Sequence, residues 1–320
     1  MDAPAGQLPA TAPMTESPTI SAQTRLLVVA PHPDDETIAT GLLIQQVQAA
    51  GGEVQILLLT AGDNNPWPQR WLERRVQIRG ADRQRWGRRR HAEILQALQL
   101  LELPRSALQA LDWPDMGVTD CLLQPENTAV STLAAAIRQF RPSLIAMPSL
   151  DDRHPDHGAA HVLVRLALTG QAAAPQLLTY LVHGHAPDDG FMEVRGSPAE
   201  QAIKLTALAA HYSQMALSGN RMRHLAVRPE RYIEVPSMPR ASSSALPWQP
   251  SAWLQPWLRL SVASPAGVQS WRWKDAPLQR DGHGIYHLPM LAGEAAPRFA
   301  KLAWGLPSPW IFDHWGWCEL

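Results

Sequence analysis

Apolar residues first gather in an unbroken run, Leu26-Leu27-Val28-Val29-Ala30, which predicts a strand covered on both faces, as in a parallel sheet. Residues 1–24, rich in Ala, Pro, Thr and Ser, show no period and read as a flexible tail. After the run, Ile38, Leu42, Leu43 and Val47 fall at helical spacing, predicting a helix over 37–50 that Gly51-Gly52 closes. A second strand is predicted over 54–60, and a loop around Pro66-Trp67-Pro68. A helix over 88–101 carries Ile94, Leu95, Leu98 and Leu101 on one side. The pattern then gives a strand over 108–111, a helix over 128–140, a strand over 144–147 and a helix from about 157 to 168. A strand over 177–182 and a helix over 198–211 follow.

Strands alternating with helices predict βαβ units: an α/β fold with a doubly wound, mostly parallel, Rossmann-like sheet. Right-handed crossovers bring the loops after the strands to one sheet edge, where such folds bind ligands. The pattern changes near residue 237. Ser242-Ser243-Ser244, flanked by prolines, reads as a linker, and nine of the 13 tryptophans lie beyond it. Leu258-Arg259-Leu260-Ser261-Val262 alternates as a half-buried strand does. The expected organisation is a tail over 1–24, an α/β domain over 25–236 and a smaller β-rich, Trp-rich unit over 237–320. Its aromatics are expected mainly in a core, with stacking on sugar rings as the alternative.

Charge and composition narrow the function. With 28 basic and 29 acidic residues, no global field points to nucleic acid or to an anionic membrane. Arg83, Arg85, Arg88, Arg89 and Arg90 form a local cluster, read either as a solvated helix face or as a seat for an anionic substrate. Two distant cysteines without a CxxC spacing argue against a disulfide framework and a thiolate metal site, so a metal is expected to use His and carboxylate. No signal-like N-terminus and no membrane-length apolar run occurs, so a cytoplasmic protein without a transmembrane segment is expected.

Two loops carry chemistry. Pro31-His32-Pro33-Asp34-Asp35-Glu36 follows the first strand, and Asp151-Asp152-Arg153-His154-Pro155-Asp156-His157 follows the strand over 144–147. His32 and Asp35 can reach one point from a proline-stiffened turn, and imidazole and carboxylate both bind Zn2+. Asp34 stands beside them, placed to take a proton from a water at that metal. The competing reading is a helix cap, but His32 weighs against it. No glycine-rich phosphate loop is present, which argues against a nucleotide site. In the second loop one His can serve as a ligand and the other can reach the reacting group, while Asp152 can hold an imidazole by its second nitrogen. His91, His161, His211, His224, His283, His287 and His314 read as surface or satisfied core residues; His183 and His185 are left open.

A strand followed by P-H-P-D-D-E, with a distant H-P-D-H after another strand, resembles the PIG-L/LmbE deacetylases over residues 25–235. The resemblance implies His32, Asp35 and His157 as zinc ligands, with another divalent transition metal as a substitute. It implies Asp34 as general base and His154 as the protonated group that stabilises the oxyanion or protonates the leaving amine. Arg90, in Arg90-His91-Ala92-Glu93, and Asp115, in Pro114-Asp115-Met116-Gly117, match substrate-contacting positions. Lys204 and Tyr212-Ser213-Gln214 resemble the family's K…Y-x-S-Q stretch, with Ser directly after Tyr here. The implied activity removes an N-acetyl group from an amino-sugar conjugate. Alternatives are an amidase acting on another acyl group or a thiol-sugar conjugate, and a carbohydrate binder with an inactive site. The expected partner is a small-molecule or glycan-conjugate substrate, anionic if the Arg cluster serves it; a homo-oligomer is left open.

Overall fold

The computed structural model describes residues 18–171, 174–184, 190–236, 244–290, 297–306 and 312–320. Strand β1 (Arg25–Ala30) is buried on both faces, as its continuous apolar run requires. Helix α1 (Asp35–Ala49) leads to β2 (Glu53–Thr60), and α2 (Pro66–Glu73) and α3 (Gly80–Leu100) lead to β3 (Leu108–Trp113). Helices α4 (Val118–Leu122) and α5 (Thr128–Phe140) precede β4 (Leu144–Pro148), and α6 (Pro155–Ala167) precedes β5 (Gln176–Tyr180). Then come β6 (Met192–Val194), α7 (Pro198–Ala210), α8 (Tyr212–Ala226) and β7 (Glu230–Val235).

These strands form one sheet in the order β3-β2-β1-β4-β5-β7-β6. The first five run parallel, and β7 pairs antiparallel with both β5 and β6. The mostly parallel α/β fold is thus as expected. The strand order reverses at β1, between β2 and β4, which opens a crevice at their carboxyl ends. The loops after β1 and β4 meet at that switch point. Helix α1 is buried over most of its surface because α7 and α8 pack on the side facing away from β1 and β2.

Two local expectations are corrected. Residues 66–68 start α2 rather than a loop: Pro66 occupies the first helical position, where a missing N–H costs nothing, and Asn65 accepts from Trp67 N at 3.3 Å. Helix α3 starts at Gly80, eight residues before the first expected helical position, Arg88; its arginine-rich opening lacks an apolar period and is held by ion pairs of Arg85 with Glu73 and Asp82. Helices α4 and α8 and strands β6 and β7 were not foreseen. The expected tail lies outside the described residues up to 17, and so do Ser242, Ser243, His185 and Trp310.

Beyond residue 244 lie β8 (Leu258–Ser264), β9 (Gly267–Arg272), β10 (Gln279–Arg280), β11 (Tyr286–His287), β12 (Phe299–Trp304) and β13 (Trp317–Glu319). Four of them form an antiparallel sheet, β13-β12-β8-β9, and β10 and β11 a separate pair. This is the separate β-rich part the alternation predicted. Its tryptophans divide: Trp248, Trp273 and Trp317 are buried, whereas Trp253, Trp257 and Trp304 are exposed. The sheet is docked on α6. Ala263, Phe299 and Trp317 pack into the same cluster as Ala159, Val162 and Leu163, and Arg165 pairs with Glu319 at 2.8 Å. A Cβ on Gly158 would come within 2.9 Å of the Trp317 ring, so the close seating of this sheet depends on that glycine.

Candidate metal and active site

The turn after β1 is held in a strained shape. Asp34 has φ 129° and ψ −28°, a region that residues with a Cβ rarely occupy. Several groups over-determine it. Its N–H donates to Glu36 Oε2 at 2.9 Å, and its carbonyl accepts from Thr37 N and Ile38 N. Glu36 is fully buried and faces His211 Nε2 at 3.0 Å. Arg90, buried in α3, donates to the carbonyls of Pro33 and Gly62 and reaches Asp34 Oδ2 at 3.3 Å.

This turn aims its side chains at the loop after β4. Asp35 Oδ2 lies 3.3 Å from His32 Nδ1 and 3.2 Å from His157 Nε2. Donor atoms about 2.0–2.1 Å from a tetrahedral zinc are separated by roughly 3.3 Å, so these two spacings suit a shared ion. Ring nitrogens of His32, His154 and His157 lie within 4.8 Å of one another, and Asp35, His157 and His183 form a second such group. Behind them, Asp152 Oδ2 is 3.1 Å from His157 Nδ1 and also accepts from Val182 N and His183 N. Its other oxygen accepts from His154 N at 2.9 Å.

Two observations fit a cation here. His157 is fully buried, yet neither ring nitrogen has a hydrogen bond of good geometry, despite the short distances to Asp152 and Asp35. A metal between Nε2 and Asp35 would satisfy the inner nitrogen. The second is charge. Carboxylates of Asp35, Asp115, Asp152 and Asp156 surround His32 and His157. Burial disfavours a charged His32, but Asp115, Asp156 and Asp35 outweigh it and hold its pKa well above the usual value. For His157 burial is likewise outweighed, by Asp152 and Asp35, and the pKa is pushed up to about 10. Protonated imidazoles take the place of a cation in an excess of negative charge, which a divalent ion would balance.

Asp34 differs from its neighbour. Burial, only partly offset by Arg90, raises its carboxyl to about 6. Asp35 is held well below the carboxylate range because His157 and His32 overcome its burial. Two adjacent carboxyls thus have opposite tendencies, the arrangement expected when one binds and the other exchanges protons. His154 caps α6: its Nδ1 accepts from Asp156 N at 3.3 Å, which leaves Nε2 to carry the proton. Burial, with His32 and His157 nearby, lowers its pKa. This setting favours a neutral His154 ring with its proton on Nε2.

A pocket of about 250 Å³ joins the predicted residues: His32, Asp34, Asp35, Arg90, Asp115 and His154 line it. His157 and Asp152 support it from behind. Asp115 Oδ1 is 3.3 Å from His32 Nε2, and Oδ2 accepts from Asn64 N at 2.7 Å. Of the Arg cluster, only Arg90 lines the pocket; Arg85 and Arg89 pair with acidic neighbours. Sequence reasoning missed Asp156, which lies 3.2 Å from His32 and accepts from Met116 N and Val118 N. Its position between His154 and His157 was the available signal. It also missed His211, Arg221 and Phe312, which no local pattern marks, whereas Gln214, in the Tyr212-Ser213-Gln214 stretch, does line the pocket.

Gly62 supplies a test of the Arg90 clamp. It has φ +62°, and a Cβ there would overlap Arg90 Nη1. Gly62→Ala is expected to lower activity by about tenfold or more through Asp34, since small misplacements at a site cost that much or more. Gly170→Ala, also at positive φ (+77°) but with nothing within 4 Å, is expected to keep full activity in the same assay.

Residues 27–168 match the PIG-L model, described as GlcNAc-PI de-N-acetylase. A curated relative, the 1D-myo-inositol 2-acetamido-2-deoxy-alpha-D-glucopyranoside deacetylase of Mycolicibacterium vanbaalenii, is 28% identical over 200 residues, covering 57% of this chain and 68% of the relative. The enzyme of that name from Mycolicibacterium smegmatis is 33% identical over 170 residues, covering 49% of this chain and 57% of the relative. The crystal structure of a conserved protein from Thermus thermophilus matches with TM-score 0.50 and 27% identity, covering 71% of this chain and 99% of that one. The matched residues run from within β1 to the end of α6, and both chemical loops fall among them.

Proposed function

We propose that this protein is a zinc-dependent N-deacetylase of an amino-sugar conjugate. The observation that carries the reading is the meeting of His32, Asp35 and His157 around Asp35 Oδ2, with the proton-accepting Asp34 one residue away. Support comes from the PIG-L match and from relatives named as deacetylases of an acetamido-glucopyranoside. His32, Asp35 and His157 would hold the ion. When bound, Zn2+ polarises a carbonyl and lowers the pKa of water toward ~7.

The chain's own groups divide the remaining work. Asp34 takes a proton from the attacking water as its oxygen adds to the acetamide carbonyl. His154 donates from Nε2 to the oxygen that gains charge. The C–N bond then breaks, the proton held by Asp34 passes to the departing nitrogen, and acetate and a free amine result. Asp152 lies against His157 Nδ1 and accepts from the backbone N–H of His154, and Arg90 fixes Asp34. Asp115, on the pocket wall, can accept from a substrate hydroxyl.

Removing the metal tests this directly. Exhaustive chelation is expected to abolish acetate release from N-acetylglucosamine and its inositol conjugate, and added Zn2+ to restore it. His157→Ala is expected to lose stoichiometric zinc by elemental analysis. Undiminished release after chelation would overturn the reading.

A further inference from the structure

The C-terminal sheet does more than cover α6. Phe312 reaches the pocket, with its ring centroid 5.5 Å from His183 and 6.4 Å from His154. Asp313 N donates to Arg153 O at 2.8 Å, tying this segment to the loop after β4. On the far side of Phe312 lies a second cavity of about 520 Å³, and Met116 and Phe312 line both. Met116 is itself fixed near the site, because its N–H donates to Asp156, the carboxylate facing His32. The second cavity therefore opens beside the candidate reaction centre.

Its walls combine flat aromatic faces with polar edges. Trp304 and Trp315 stand 5.3 Å apart with planes at 54°, and Trp304 is 39% exposed. Arg153, Asp313 and His314 stand among them. An exposed tryptophan in a polar-rimmed hollow suits a ligand with one apolar face and a belt of hydroxyls. Sugar rings have that form: axial C–H groups rest on an aromatic face while hydroxyls meet polar side chains. Asp313 is itself held by Lys301, which leaves Arg153 and His314 as the polar edges; a purely apolar occupant would not engage them, and a compact anion would leave the tryptophans without use.

We propose that the cavity between Trp304, Trp315 and Phe312 is a second sugar subsite, which takes the ring adjoining the N-acetylated one. The assignment rests on the amino-sugar reading above, and it makes a chain of at least two sugar rings the preferred substrate. Stacking contributes to binding of the longer ligand only, so its loss shows as a length-dependent effect.

The test measures kcat/KM of the zinc-loaded full chain on N-acetylglucosamine and on its di- and trisaccharides. A gain of about tenfold from one ring to two is expected, the size of a lost aromatic contact of about 1.4 kcal/mol. Trp304→Ala and Trp315→Ala should erase that gain and leave the monosaccharide rate within about twofold, while Trp304→Phe restores part of it. Equal rates on all lengths, or equal losses on all lengths in the variants, would overturn the subsite. If no sugar yields acetate, the deacetylase reading fails by itself. Calorimetric binding of the trisaccharide then judges the cavity independently: affinity about tenfold weaker in Trp304→Ala supports it, and unchanged or absent binding overturns it.

Discussion

Asp34→Gly is expected to raise the melting temperature of the zinc-loaded protein by a few degrees while lowering acetate release by about 10²–10⁴-fold. The stability gain comes from the backbone. A residue with a Cβ held at φ 129° costs on the order of 1–3 kcal/mol, and glycine adopts that region freely, at an entropic cost of roughly 0.5–1 kcal/mol. Little is lost in exchange. The hydrogen bonds that anchor Asp34 to Glu36, Thr37 and Ile38 are all made by its backbone, and glycine keeps them. The side chain makes no cap for α1, and its 3.3 Å contact with Arg90 Nη2 shares a nitrogen already donating to Pro33 O. The carboxyl is also buried at a pKa of about 6, so its charged form gains little from folding. Asp34→Ala separates the effects: it loses the base but keeps the strain, so activity falls without a gain in stability. A glycine variant that melts lower than the wild type would show that the turn stores no strain. One with full activity would remove Asp34 from the chemistry.

That strain explains part of what the sequence could and could not reveal. Prolines at 31 and 33 marked a stiff turn, and His32, Asp34 and Asp35 marked its chemistry, because all of these act within five residues. The positive φ of Asp34 left no trace, since aspartate is equally common at ordinary helix starts. The strands β1 and β4 and the helix α5 were legible because burial on both faces, or a clean apolar stripe, fixes their pattern. Helix α8 was not: its buried residues are Ser213, Gln214, Gly219, Met222 and Ala226, which read as polar or small. It is helical because it packs on α2 and α7, and not because of its own period. The same limit hid the pocket's outer wall. Arg221 and Phe312 reach the site across long sequence separations, and only the docking of α8 and the C-terminal sheet brings them there. The arginine cluster misled in the opposite way: Arg85 and Arg89 lie in one run with Arg90, yet α3 turns them toward Glu73, Asp82 and Glu93.

Glu230→Ala is expected to cost about 3–5 kcal/mol, a large part of the ~5–15 kcal/mol that typical chains possess. Glu230 opens β7, outside the PIG-L match, and its carboxylate is buried against α1. Oε1 accepts from Leu42 N and from Lys204 Nζ, both at 2.7 Å. Oε2 accepts from Leu43 N at 3.0 Å and lies 2.8 Å from Tyr232 Oη. Lys204 has no exposed surface, so truncating Glu230 leaves an ammonium without water or counter-ion. A mere gap in packing would cost less. Lys204→Met with Glu230→Gln separates these causes, because the pair is then neutral and the amide oxygen still faces Leu42 N. The double variant is expected to recover at least about half of the loss in urea unfolding, as replaced buried ion pairs generally do. The effect should also reach the reaction. Helix α1 begins at Asp35, so a helix released from Glu230 carries the inner carboxylate with it. Zinc affinity of Glu230→Ala, measured well below its unfolding midpoint, should therefore fall together with stability. A loss under about 1 kcal/mol would mean that water reaches Lys204 and that the pair is not sealed.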